Sequence, residues 1–498
     1  MTRSFIATGV ASLVLILAGC ASTHALLPTG RLTQADALSA QRSLGRFSDA
    51  AFPTRNWWTA LGDPQLDGLI DEALAGTPSL DAADARLRQA IAQAGLADSA
   101  RKPSVGVGAQ YAGLQIPSTI APPPLGGAYQ GIVLLSLNLK YDPDFWGGKR
   151  AKYEAALGQV RATEIDNQAA RLTLASNIAS TYAVLAQAYA ASDVATAEKS
   201  RATHLLDLGR QRVKAGLDSQ LPLRQAEASV ATAEQLRQAA QQQIDTTRNA
   251  LAVLLGKGPD RGLDIAKPAL LTTSSPGVPA VVPSELLGHR PDVVAARWRV
   301  EAAQRGIKAS KAAFYPTVNL AAMVGLASNG LSNLFSSDAL LVQGGPAISL
   351  PIFDGGGLRN QLARSNADYD LAVAGYNQTL VAALREVTDA LQAARSLDAQ
   401  IESARQAGDA AHAAWQLAQT RYRAGLGTQI DVLVAQKPLL QLDQQLAALR
   451  AQRITAAIDL ARALGGGIAL AAPPPDLPVS TNSTLINSTP TNTKTSTP

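Results

Sequence analysis

The chain passes through the same two hydrophobic periods twice. From Gln65 to Lys102 apolar residues return at helical spacing, at Leu66, Leu69, Ile70, Ala73 and Leu74. Thr77-Pro78 interrupts the run, and proline suits a first helical turn, so the spacing predicts two stacked helical pieces. After Pro103 the period drops to two. Val105-Gly106-Val107-Gly108-Ala109-Gln110-Tyr111 alternates weakly, and Leu135, Leu137, Leu139 and Tyr141 alternate with Ser136, Asn138, Lys140 and Asp142. One apolar face and one polar face at period two predict strands with one side in an apolar medium and the other wet. Pro122-Pro123-Pro124 and Gly126-Gly127 mark a loop between them. Lys149 to Lys214 is then 66 residues without proline. Leu174, Ile178, Tyr182, Leu185 and Tyr189 form a coiled-coil-like seam along it. Such a helix is about 100 Å long.

The helix breaks at Arg212-Val213-Lys214-Ala215-Gly216-Leu217, because glycine is costly in a helix and takes positive φ freely. The chain returns from Ser219 to Gly256, about 57 Å of helix. A Gly/Pro-rich connection spans 257–283, and Ser284 is placed to cap a helix of about 45 Å running to about Ala313. The two returning pieces thus total about 100 Å again.

The pattern then repeats. Pro291, Arg299 and Pro316 follow Pro78, Arg86 and Pro103 at one offset of 213. Val318, Leu320, Ala322 and Val324 alternate with Thr317, Asn319 and Ala321, and a further strand is expected from Ala347 to Phe353. Phe353-Asp354-Gly355-Gly356 answers Phe145-Trp146-Gly147-Gly148. Leu358 to Arg423 is again 66 residues, with Leu380, Leu384, Val387, Leu391 and Ala394 as its seam. It breaks at Arg421-Tyr422-Arg423-Ala424-Gly425-Leu426, with Gly425 lying 209 residues after Gly216. Thr428 to Gly465 returns with Leu439, Leu442, Leu446 and Leu449 on one face. The expected organisation is therefore a first repeat at 65–256, an equatorial connection at 257–283, a second repeat at 284–465 and a disordered, Pro/Ser/Thr/Asn-rich tail at 466–498. Residues 21–56, punctuated by Leu27-Pro28 and Phe52-Pro53, read as irregular.

Composition narrows the class. Aromatic residues are only 4%, which suits Ala-rich helices packed side by side. The net charge is +5, but basic residues are interspersed with acidic ones and form no block, which argues against nucleic acid as a partner. Arg3 and the short apolar run Val10 to Leu17 make 1–19 a signal segment rather than a membrane helix. Leu17-Ala18-Gly19-Cys20 resembles a bacterial lipobox. That resemblance implies cleavage before Cys20, covalent lipid on it, and a lipidated N-terminal segment at 20–64. Ala21, being non-acidic, implies the outer membrane. Cys20 is the only cysteine, so no intrachain disulfide is possible. No other segment reaches 18 consecutive apolar residues.

Enzymatic chemistry finds no constellation. His24, His204, His289 and His412 lack metal-ligand spacing, Gly147-Gly148-Lys149 lacks a phosphate-loop frame, and no G-x-S-x-G occurs. No catalytic residue, resident metal or cofactor is expected apart from the lipid on Cys20.

Four membrane-type strands cannot close a barrel, and an open sheet edge in lipid costs several kcal/mol per unpaired backbone group. The chain must therefore pool strands with further copies; two copies supply 8, which leaves little lumen, and three supply 12. Helices attached to every strand pair of a closed barrel must continue as a cylinder of helices. The expected fold is mainly α with a transmembrane β-barrel, internally duplicated, four strands per protomer.

Several motifs together resemble the TolC-like outer-membrane factors, nearest their NodT/OprM-type lipoprotein branch. They are the lipobox, the duplicated strand-pair and long-helix plan, W-W-x-x-L-x-D-P-x-L at 57–66, H-R-P-D-V at 289–293 and the R-Y-R-A-G tip. The resemblance implies a homotrimer with a 12-stranded β-barrel continued by an α-helical barrel. It implies a passive exit duct of a tripartite efflux system for drugs or toxic compounds. A periplasmic adaptor would dock on the hairpin tips, at Gly216, Leu217, Gly425 and Leu426, and an inner-membrane pump would drive transport. Ducts for heavy-metal efflux or type I protein secretion are the alternative. The family's periplasmic end is closed by inward carboxylates and interhelical tethers. Asp431 matches a carboxylate and Tyr422 a tether, while Val434 stands where some members are acidic and Gly427 where some carry an arginine. Asp431 is equally readable as an exposed helix-start aspartate favoured by the macrodipole.

Overall fold

The computed structural model describes residues 26–34, 38, 52–123, 126–269 and 288–467. A 3-10 turn at Trp57–Leu61 leads into α1 (Pro64–Ala75) and α2 (Pro78–Ser99). There follow β1 (Ser104–Gln115), β2 (Tyr129–Tyr141), α3 (Gly148–Lys214), α4 (Gln220–Leu254) and a short α5 (Pro259–Leu263). The second half runs α6 (Pro291–Ala312), β3 (Thr317–Ser328), β4 (Leu340–Ser349), α7 (Gly357–Arg423) and α8 (Gln429–Ala463). α3 and α7 are each 67 residues, α4 and α8 each 35, and α2 and α6 each 22.

Two expectations need correction. The helix expected from Ser284 to Ala313 is interrupted at Arg290: Gly288 and His289 are helical, but Arg290 sits outside helical space at φ −91, ψ 119, because proline disfavours helix in the residue before it, and α6 starts at Pro291. Ser284 itself lies outside the described residues. Among the described residues the returning helices α4 and α6 measure about 52 and 33 Å, against the roughly 100 Å of α3. The strand expected at Ala347–Phe353 instead spans Leu340–Ser349. Gly344-Gly345-Pro346, which reads locally as a turn, lies inside it. An edge strand tolerates proline because one row of its N–H groups has no partner in the sheet.

The W-W-x-x-L-x-D-P-x-L motif builds the main core. Trp57, Trp58, Leu61 and Leu66 are buried with Ile178, Leu185 and Leu251 from α3 and α4 and Ile458 from α8. Asp63 caps α1 by accepting from Gln65 N at 3.0 Å. Its other oxygen accepts from Tyr182 Oη at 2.9 Å, and Gln65 Nε2 donates to the same phenol at 2.7 Å. Burial pushes the Tyr182 phenol up, so it stays a neutral donor. The predicted α3 seam from Leu174 to Leu185 is buried, with Tyr189 packed against it.

H-R-P-D-V makes a second junction. Arg290 is buried; it pairs with Asp292 at 2.6 Å and Glu386 at 3.0 Å, and donates to Ala463 O at 2.9 Å. One guanidinium thus ties the start of α6 to α7 and to the end of α8. His289 stacks on Phe52 at 4.0 Å. The segment expected to be irregular is also held. Thr29 N and Gly30 N donate to the Asp370 carboxylate, and Asn377 accepts from Thr33 N at 2.8 Å while donating to Arg31 O at 2.9 Å.

Candidate functional site

The four strands form one antiparallel sheet in the order β1-β2-β3-β4. The register gathers one face that is largely apolar, and a second that holds the polar side chains together with Ile132, Leu134, Met323 and Leu341. Leu135 faces Ala109 and Leu326, Leu137 faces Val107 and Val324, and Leu139 faces Val105 and Ala322. Val324 in turn faces Val342, and Val318 faces Ile348. Directly opposed residues share a face, so these side chains make one continuous apolar surface. It is uncovered: Val107 is 77% exposed, Val342 67% and Ile348 73%. Ser136, Asn138, Lys140, Gln110, Asn319 and Gln343 occupy the other face. There Asn138 Nδ2 donates to Ser136 Oγ at 3.0 Å.

Aromatic rings bracket the apolar surface. Tyr141 ends β2 on one side. On the other, Tyr111 and Tyr129 meet hydroxyl to hydroxyl at 3.4 Å. Glycines open the space for them: a Cβ on Gly113 would lie 1.5 Å from Tyr129 Oη, and one on Gly131 would lie 2.6 Å from Tyr111 Oη. Where the sheet joins the helices, Trp146 stacks on Tyr315 at 4.7 Å and donates Nε1 to Pro316 O at 2.7 Å. Phe145 and Phe353 hold equivalent, exposed places there. Apolar bands of about 25 Å flanked by aromatic girdles are how outer-membrane barrels meet lipid. β1 and β4 are the sheet's edges and have no further strand among the described residues.

At the far ends of α3 and α7 lie the two tips. Gly216 and Gly425 both take φ 72. Each closes the same helix-ending motif: Leu217 N donates to Arg212 O and Leu426 N to Arg421 O, both at 2.9 Å. Leu217 and Leu426 project, 66% and 71% exposed. A Cβ at either glycine would meet nothing within 4 Å, so the surface around both is open.

The tips differ in how they are locked. In the first, Arg212 grips Asp218 with two hydrogen bonds of 2.6 and 3.1 Å, which hold the Asp218 carboxyl below its usual range. In the second, Gly427 stands at the place of Asp218, and a capping box takes over. Asp431 Oδ2 accepts from Thr428 N at 2.7 Å and Thr428 Oγ1 at 2.8 Å, and Asp431 N donates back to Thr428 Oγ1 at 3.2 Å. Those bonds to Thr428 hold the Asp431 carboxyl low. The first tip cannot copy this, because Pro222 stands at the position of Asp431 and lacks the N–H that Ser219 would cap. Asp431 is thus exposed and turned back along its own helix within one protomer. Tyr422 is 44% exposed and Val434 59%.

The T-x-x-D spacing of 428–431 was a legible capping signal. The Arg212–Asp218 lock and the buried Arg201, which donates to Leu433 O at 3.0 Å, carry no local signal of comparable strength. Cys20 lies outside the described residues.

Comparison with known proteins converges on one group. The family model described as outer membrane efflux protein matches residues 69–257 and 282–466. The fusaric acid resistance protein FusA of Burkholderia cepacia is 38% identical over 373 residues, 74% of this chain and 70% of that one. The pyoverdine export outer membrane protein OpmQ of Pseudomonas aeruginosa is 31% identical over 460 residues, 92% of this chain and 96% of that one. The crystal structure of the outer membrane protein VceC of Vibrio cholerae superposes with a TM-score of 0.76 at 38% identity, covering 84% of this chain and 100% of that one. Because the family model matches each repeat separately, both halves carry the membership, and the chain belongs to the outer membrane efflux protein family.

Proposed function

We propose that this efflux channel is the passive exit duct of a tripartite system, assembled as a homotrimer whose four-stranded sheets join into a 12-stranded barrel. The carrying observation is the sheet with two open edges and one uncovered apolar face. In lipid each unpaired edge group costs several kcal/mol, and joining β4 of one copy to β1 of the next removes every edge.

The duplication supports the same reading. Within the chain α3 packs on α6 and α8 of the other repeat. The equivalent seams, α7 on α2 and α7 on α4, belong between copies. Ala162 of α3 is fully buried against α6, whereas its counterpart Leu371 on α7 is 73% exposed. Ala309 of α6 is 6% exposed, and its counterpart Leu96 on α2 is 70% exposed. A neighbouring copy would cover both.

In this reading the helices cross the periplasm, a periplasmic adaptor docks on Gly216, Leu217, Gly425 and Leu426, and an inner-membrane pump supplies the drive. Asp431 and Tyr422 gather near the axis at the closed end. Lipid on Cys20 anchors the chain in the outer membrane. Asp370 lies 13 residues into α7, about 20 Å from the sheet. The ten residues from Gly30 to Cys20 span up to about 35 Å, enough to reach the bilayer. Drugs or toxic compounds are the cargo class, supported by the name of the fusaric acid resistance relative.

The deciding experiment takes the full-length protein in mild detergent, measures its mass by light scattering and reconstitutes it in planar bilayers. A trimer with stable conductance is expected. A monomer that carries no current would overturn the reading.

A further inference from the structure

Lys140 is the one charged side chain on the four strands; β1, β3 and β4 have none. It lies on the polar face with Asn138 and Ser136, opposite Ser104 of β1 and Ala321 of β3. It is exposed and forms no ion pair with another described residue. Ser104 is the first residue of β1 and Tyr141 the last of β2, so Lys140 stands where the sheet joins the helices.

No acid among the described residues pairs with it. Asp142, two residues on, is paired with Lys149 at 2.9 Å. Asp144 and Asp354 keep their charge but lie beyond the strand ends, where their carboxylates accept from backbone N–H groups at the starts of α3 and α7. The remaining acid of the sheet region, Asp338, precedes β4 at the opposite end. It lies seven residues along that strand from Gly345, which faces Ala321, or about 24 Å away.

We propose that Lys140 forms a cationic ring at the inner rim of the barrel lumen and makes the duct favour solutes that carry a negative charge, organic carboxylates included. The inference rests on the closed three-copy barrel proposed above. Twelve strands about 4.8 Å apart and tilted about 40° give a backbone radius of about 12 Å. The side chains project inward from that wall, and the Debye length is about 8 Å at physiological ionic strength. Three ammonium groups at one level therefore hold the whole cross-section at positive potential, focused by low-dielectric walls. Rings of charged side chains set the sign of selectivity in wide pores in this way.

The test is the reversal potential of the full-length protein in planar bilayers under a KCl gradient. The ratio is read against wild type, because the Asp431 carboxylates proposed at the closed end act in series with this ring. Lys140→Gln should lower the chloride-to-potassium permeability ratio by about twofold or more, Lys140→Glu should lower it further, and Lys140→Arg should keep the wild-type value. Each variant is first shown to assemble by its heat-dependent migration on a gel. A conducting channel whose ratio ignores position 140 overturns the inference and leaves the duct standing. Wild-type protein that forms no channel overturns the duct reading, and this inference with it.

Discussion

Arg201 of α3 donates Nη1 to the carbonyl oxygen of Leu433 on α8 at 3.0 Å, crossing the seam between the two repeats. Its other nitrogens hold Glu198 at 2.7 and 2.6 Å, and the side chain is 5% exposed. Pro438 lies one turn further along α8. A helix-interior proline removes one backbone donor and opens the preceding turn. Arg201 thus supplies a donor beside a weakened stretch. Its counterpart on α7 is Ala410 and that of Leu433 is Arg224, so in the proposed trimer the seam between copies would lack this bond.

Arg201→Ala should therefore loosen the seam inside each protomer. It leaves Glu198 without its partner and removes the bond across the seam to the Leu433 carbonyl, a loss of about 1–3 kcal/mol per copy. The temperature at which the assembly dissociates on a gel should fall. Lys at this position should recover only part, because it cannot form the two-pronged contact with Glu198. An unchanged dissociation temperature in the alanine variant would show that the contact does not hold the seam.

The tips should respond to acid, each through a different lock. Asp218 is held low by Arg212, and Asp431 by the backbone and hydroxyl of Thr428. A carboxyl whose folded pKa is depressed adds stability above its unfolded value and loses it as pH falls through the folded one. Both tips should therefore be fully locked at neutral pH and loosen only below the unfolded aspartate value of about 4. Hydrogen exchange at the amides of Leu217 and Leu426, corrected for intrinsic rate, reads this out. Asp218→Asn should loosen the first tip already at neutral pH and leave the second as it was.

Most of this architecture is legible because it is periodic. The long helices matched their expected ends within a residue, since Gly216 and Gly425 punctuate otherwise unbroken helical sequence. The polar and apolar faces of β2 could be read from Leu135 to Lys140 directly. β4 was misplaced because Gly344-Gly345-Pro346 mimics a turn, yet it lies inside the strand and keeps its register with β3. The contacts of Thr29 and Gly30 with Asp370 join residues some 340 apart, through backbone groups that every residue possesses. Nothing local in the sequence marks such a contact.

Docking at the tips can be probed where substitution leaves the rest of the chain untouched. Gly216→Arg or Gly425→Arg places a bulky charge at φ 72, where an L-residue costs about 1–2 kcal/mol. The open surroundings accept the side chain. The trimer should still form, while resistance conferred in a strain with a matched adaptor and pump should be lost. Full resistance with either variant would count against the tips as the docking surface.

Anchoring is tested at Cys20. In cells fed labelled palmitate, wild type should take up label and Cys20→Ala should not, since this is the chain's one cysteine. Label persisting on the alanine variant would refute lipid attachment there.

The cap that Asp431 forms and the throat proposed for it cannot be separated by a single substitution. Its carboxylate completes the cap of α8, and in a trimer three of them would face a narrow axis. Thr428→Ala removes the hydroxyl that donates to Asp431 Oδ2 and accepts from Asp431 N, but leaves the charge in place. Asp431→Asn removes the charge and keeps a side-chain oxygen able to accept from Thr428 N. If the ring attracts cations into the throat, block of single-channel current by a divalent cation should weaken severalfold in the asparagine variant and persist in the alanine variant. If the carboxylate serves only the cap, block should be equal in both, and hydrogen exchange at the start of α8 should rise most in Thr428→Ala. Equal block in both variants and wild type removes Asp431 from the throat, because a charge that lines a constriction cannot be neutralised without changing what a cation meets there.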